Sequence, residues 1–105
     1  MITYDPDTNT VNVKPAGELD HRLSENIRNS IDAEILRNSA QNLVFDMRDI
    51  SFMDSSGIGL LIGRYKLMKR LNGKISVSGM REQVFRIFRM SGLAQIIHFQ
   101  EGAEY

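Results

Sequence analysis

A chain of 105 residues with 13 basic and 13 acidic side chains is long enough for one hydrophobic core, and it carries no net field that would draw it to nucleic acid or an anionic membrane. The absence of cysteine excludes disulfides and cysteine-ligated zinc and is compatible with a reducing cytosol. The longest apolar run is only a few residues and the N-terminus lacks the order of a signal peptide, so a single soluble domain over 1–105, in the cytoplasm and without a membrane, is expected.

In chain order, Ile2 to Tyr4 and Val11 to Lys14 are β-favouring runs on either side of the turn formers DPDTNT, which predicts an N-terminal hairpin. The loop KPAGELD follows. From about His21 to Arg37, Leu23, Ile27, Ile31 and Ile35 recur every four positions among polar residues, the pattern of an amphipathic helix covering a sheet. LVFDM, Leu43 to Met47, is short and apolar enough for a buried central strand. RDISFMDSS then reads as a loop into a helix from about Ser56 to Leu71. That helix sets Ile58, Leu61, Ile62, Tyr65 and Met68 along one side, with Arg64, Lys66, Lys69 and Arg70 as a solvated face. Asn72-Gly73 ends it. KISVS is a strand, Arg81 to Met90 a helix presenting Val84, Ile87 and Phe88 before Gly92 stops it, and IIHF a final edge strand. This alternation predicts an α/β layer with a mixed, mostly parallel sheet, covered by about three to four helices. Ligands and partners of such sheets meet the loops beyond the strands' carboxyl ends, where GELD and RDISFMDSS gather Asp20, Asp46, Asp54, Ser55 and Ser56.

Several chemistries fail at that gathering. A GxGxxG fingerprint would need glycine where Ile62 stands, and the Walker pattern fails because Arg64 follows Gly63 without a Lys-Ser/Thr pair. A GxSxG elbow is blocked by Met53 and Asp54, and nothing in the spacing supports a serine, histidine and acid relay through His21. His21 and His98 lie far apart and outside any ligand-spaced motif, so no metal and no cofactor is expected. Two readings of Asp54-Ser55-Ser56 stay open: an ordinary helix N-cap, and a serine modified by another protein. The second gains from the glycines that follow. Gly57 is expected to clear space for another protein's cleft to reach the hydroxyl, whereas Gly59 and Gly63, four apart, are expected to pack on the sheet.

SFMDSSGIGLLIGRYKLMKRLNG, preceded by AGELDHR and followed by RIFRMSGLAQII, resembles the anti-sigma factor antagonists of the STAS class, and within it the stage II sporulation anti-sigma F factor antagonists of spore-forming bacteria. The resemblance runs from the N-terminal hairpin to about Phe99. It implies a STAS-like α/β domain that is not an enzyme. Its unphosphorylated form would bind an anti-sigma factor that is also a serine kinase, releasing the sigma factor; the kinase would phosphorylate the antagonist and a PP2C-type serine phosphatase would reverse this. Carried onto this chain, the resemblance makes Ser55 the phosphorylation site and Asp54 the aspartate before it. Asp20 matches the second acidic position, and Ser56, Gly57 and Ile58 fall in the partner-binding footprint. Asp46 falls where relatives vary, which leaves it a structural hydrogen-bonding role. Relatives often continue into a final helix where this sequence stops at QEGAEY, so the last few residues are expected outside the ordered domain. Within the same class the resemblance also covers general stress antagonists, signalling-scaffold subunits and accessory subunits of lipid-transport ATPases.

Overall fold

The structure, a computed structural model, describes residues 1–100. Its elements in chain order are β1 (Ile2–Asp5), β2 (Thr10–Val13), β3 (Gly17–Leu19), α1 (His21–Asn38), β4 (Asn42–Asp46), β5 (Ile50–Met53), α2 (Ser55–Arg70), β6 (Lys74–Ser78), α3 (Glu82–Met90), a 3-10 turn (Leu93–Gln95) and β7 (His98–Phe99). The hairpin is as expected: β1 and β2 pair antiparallel, and Asn9 adopts the left-handed conformation, φ 52°, that closes their turn. Gly92, φ 88°, follows α3 and ends it as expected. The sequence readings that fall on 101–105 lie outside the described residues.

The main sheet has the order β1-β2-β4-β6-β7, with every pair after the hairpin parallel. Each crossover therefore advances in the same direction. Because such connections are right-handed, the three helices fall on one face. Burial agrees with this: Val11, Val13, Leu43, Phe45, Ile75 and Val77 are buried beneath the helices, while Asn12, Val44 and Ser76, one row across the other face, are only half-buried. The expected buried central strand is β4, with Leu43 and Phe45 in the core. β4 is central in the sheet but alternates, with one covered face.

The apolar stripe of α1 lands as expected, with Ile27, Ile31 and Ile35 buried and Leu23 half-buried. For α2 the expected stripe is rotated. Leu60, Leu61 and Met68 are buried, whereas Ile58, Ile62 and Tyr65 are only half-covered. The reason is that α2 packs on α1 as well as on the sheet and so needs two contact faces. Arg64 lies on the second of them. Only 8% exposed, it holds Nε 2.9 Å from Asp32 Oδ1 on α1. Its place on the solvated face is thus a correction, while Lys66, Lys69 and Arg70 do occupy the outer side. Burial lowers the pKa of this guanidinium from its ordinary value, Asp32 opposes that shift and the neighbouring charge of Arg28 adds to it.

A buried guanidinium that loses its carboxylate keeps its desolvation penalty without compensation. Asp32→Ala should therefore destabilise the domain by about 1–3 kcal/mol, less than a fully buried pair because Asp32 keeps some solvent access. Urea unfolding followed by circular dichroism measures this; an unchanged midpoint would show that the pair contributes nothing.

Candidate functional site

Two segments expected as loops are strands. GELD contributes β3 and DISFM contributes β5, and they pair parallel in a separate two-stranded sheet, with Leu19 opposite Met53. Parallel neighbours lie about 4.8 Å apart, so the residues that follow, Asp20 and Asp54, emerge side by side although 34 positions separate them in the chain. The Asp54 N–H donates to the Leu19 carbonyl at 3.5 Å, a long bond across the strand ends. Each aspartate then turns into a helix with nearly the same extended backbone, φ −101° and ψ −171° for Asp20, φ −115° and ψ −167° for Asp54.

Both carboxylates serve as N-caps. Asp20 Oδ1 accepts from the Leu23 N–H at 3.0 Å; Asp54 Oδ1 accepts from Ser56 N–H at 2.8 Å and, more weakly, from Gly57 N–H at 3.4 Å. Ser55 follows as the first residue of α2. It is exposed, and its hydroxyl has no hydrogen-bond partner among the described residues. Ser56 and Ile58 are half-buried beside it. The ordinary-cap reading is therefore correct for Asp54 and leaves the Ser55 hydroxyl unused. Asp46 does not join this cluster. Its Oδ1 accepts from Arg48 N–H at 3.1 Å, its Oδ2 lies 3.6 Å from the Arg48 guanidinium, and Gly79, φ 72°, approaches so closely that a Cβ there would stand 2.9 Å from Oδ1.

Residues 2–104 match the family profile described as the STAS domain. The chain belongs to the STAS family. Among its relatives, the anti-sigma F factor antagonist of Paenibacillus polymyxa is 39% identical over 85 residues, covering 81% of this chain and 73% of that one. The anti-sigma-B factor antagonist of Bacillus subtilis is 29% identical over 96 residues, 91% of this chain and 86% of its own. Among solved structures, the anti-sigma factor antagonist SpoIIAA in its unphosphorylated form superposes with a TM-score of 0.80 at 30% identity, covering 99% of this chain and 91% of that chain. The phosphorylated form of the Bacillus protein gives 0.72 at 28%, covering 99% and 95%.

In this STAS domain neither set of α2 glycines packs as expected. Gly57 is buried, and a Cβ on it would stand 2.7 Å from the Leu19 carbonyl oxygen and 2.6 Å from Met53 Cγ. The space it leaves is directed inward, where it lets α2 begin against the ends of β3 and β5. Gly59 and Gly63 do not pack on the sheet; a Cβ on either would meet nothing within 4 Å. Phe52 on β5, opposite Glu18 of β3, is 47% exposed two residues before Asp54, in a segment whose sequence reads as a loop. Ile50 and Phe52, two β-favouring residues in alternate positions, are the available signal. Among the described residues no group of three or more His, Asp or Glu side chains is placed to hold a metal, and no helix is long and apolar enough to cross a membrane.

The two classes of glycine separate in a stability measurement. Gly57→Ala should cost about 1–3 kcal/mol through overpacking against Leu19 and Met53. Gly59→Ala should instead stabilise by about 0.4–1 kcal/mol through helix propensity. Parallel thermal melts test the contrast, and equal effects at both positions would refute it.

Proposed function

We propose that the chain is an anti-sigma factor antagonist whose switch is the Ser55 hydroxyl. In its unphosphorylated form it binds an anti-sigma factor that is also a serine kinase, releases the sigma factor that kinase holds, and so serves sporulation control by partner switching. The observation that carries this reading is the exposed and unpartnered Ser55 hydroxyl at the first turn of α2, between the carboxylate caps of two helices. The similarity to the Paenibacillus polymyxa anti-sigma F factor antagonist supports the sporulation branch over the general stress branch, the lipid-transport accessory role and a scaffold role.

Phosphorylation runs from ATP held by the kinase. The Ser55 oxygen bonds to the γ-phosphorus, the bond to ADP breaks, and the hydroxyl proton leaves to a base on the kinase. A PP2C-type serine phosphatase restores the hydroxyl by hydrolysis, releasing inorganic phosphate. The antagonist supplies the acceptor alone; it is not an enzyme, carries no cofactor, works in the cytoplasm, and needs neither nucleic acid nor membrane. Asp20, Asp54, Ser56 and Ile58 form the partner footprint around Ser55, with Gly57 beneath fixing where that footprint sits.

Phosphorylation inactivates by local repulsion and steric block, because it adds about −1.5 to −2 charges beside two aspartates without disturbing any bond that holds the domain. Incubation with the anti-sigma kinase and ATP should place phosphate on Ser55 in peptide mapping. Ser55→Ala should stay able to bind the kinase, and Ser55→Asp should bind about tenfold or more weakly in calorimetry. Phosphate on Ser56 with Ser55 untouched would overturn the assignment.

A further inference from the structure

The open glycines border a groove of about 370 Å³ between α1 and α2, lined by Ser24 and Arg28 from α1 and by Ser56, Gly59, Gly63 and Arg64 from α2. Two of these residues are more than nine-tenths buried and have hydrogen-bond donors to spare. Ser24, 7% exposed, has no partner for its hydroxyl among the described residues. Arg64, 8% exposed, has Nε 2.9 Å from Asp32 Oδ1 as an ion pair without hydrogen-bond alignment, and its Nη groups have no acceptor among the described residues. Arg28 and Glu25, both in the lining, already face each other at 3.3 Å. With the Glu25 carboxylate of the lining engaged by Arg28, the groups left to meet a ligand are donors, the Arg64 Nη groups and the Ser24 hydroxyl, the chemistry of a site for an oxyanion. Burial, with the neighbouring charge of Arg28, outweighs the support that Asp32 gives the charged form of Arg64, an imbalance that an added negative charge would relieve.

We propose that this groove receives an acidic side chain of the anti-sigma kinase when the two proteins dock, an inference that rests on the reading given under Proposed function. The placement of the groove identifies the source. Ser56, one residue beyond the switch serine, forms part of its wall, so a protein seated over Ser55 covers its mouth. The bare Gly59 and Gly63 let an incoming side chain lie against the α2 backbone, within reach of Arg64 and Ser24. A carboxylate delivered this way accepts from the Arg64 Nη groups and from the Ser24 hydroxyl, the latter a buried donor with no partner among the described residues.

Ser24→Ala and Gly63→Leu test this with the full unphosphorylated chain and the kinase in calorimetry. Ser24→Ala removes an unsatisfied buried hydroxyl, so its melting temperature should hold or rise while kinase binding weakens about three- to tenfold. A merely structural role for Ser24 would leave binding unmoved. Gly63→Leu fills open space and should weaken binding about tenfold or more with the rest of the amide spectrum preserved. If both variants bind like the parent while Ser55→Asp is impaired, the groove assignment is overturned and the switch reading stands. If the parent chain does not bind the kinase, both are overturned. A control titration with inorganic phosphate separates the remaining source: amide shifts at Ser24 and Arg64, with kinase affinity unaltered in both variants, would mark a small-anion site and overturn docking.

Discussion

The pairing of β3 with β5 is the constraint on which the site depends. Seven residues in two short strands bring Leu19 opposite Met53, and the helices that follow start from that common edge. The pairing is secured from several sides. Gly17 N–H donates to Asp49 O at 3.0 Å, Ser51 Oγ donates to Gly17 O at 3.3 Å, and from α3 the Gln83 amide donates to Ser51 O at 3.3 Å. Leu19, Ile50 and Met53 point into the core. Gly57 completes the arrangement, since any side chain there would push the first turn of α2 away from Leu19. So small a sheet would not persist in isolation; here buried side chains and a third element hold its edge.

The electrostatics of that edge decide how a phosphate would be read. Ser55 sits where the helix macrodipole attracts negative charge, by about 0.3–1 kcal/mol. Asp20 and Asp54 oppose it, and two unit charges at 4 Å repel by about 1 kcal/mol in bulk water. In the free domain repulsion outweighs the dipole's attraction, but each charge pair is held to about 1 kcal/mol while water surrounds the exposed serine, so on the proposed reading the phosphate is tolerated without reorganising the helix. A docked partner changes the balance because it excludes water and lowers the local dielectric, and the same repulsion then grows several-fold. The charge of the modification would therefore be read mainly in the complex.

Much of this architecture was legible in the chain. The hairpin turn DPDTNT, the four-residue spacing of Leu23, Ile27, Ile31 and Ile35, and the alternation of strands with helices all carry local signals, and the structure follows them. Ser55, Asp54 and Asp20 could be singled out for the same reason, being short polar residues at helix starts. What could not be read is non-local. Gly17–Leu19 and Ile50–Met53 are too short to show a period, and each becomes a strand only because the other is beside it. The glycines of α2 look alike in sequence; only the position of the Leu19 carbonyl distinguishes Gly57 from Gly59 and Gly63. Arg64 is a charged residue among charged residues until α1 covers it and Asp32 meets it.

These non-local contacts bear on mechanism. α1 and α2 are tied at their N-termini through the paired strand ends and again at Asp32 and Arg64, about 14 Å along α2 from Ser55. Two attachments separated by more than two helical turns resist both splaying and sliding of one helix on the other. The first turn of α2 is also fully engaged, with Asp54 capping Ser56 and Gly57 and with Gly57 seated on Leu19. A surface held this way is preorganised for a partner and loses little entropy on docking. It is equally a poor candidate for an order-to-disorder transition, since the Ser55 hydroxyl has no partner among the described residues to lose. Rigid support beneath an uncommitted hydroxyl therefore favours a switch that works through charge and bulk on an unchanged backbone.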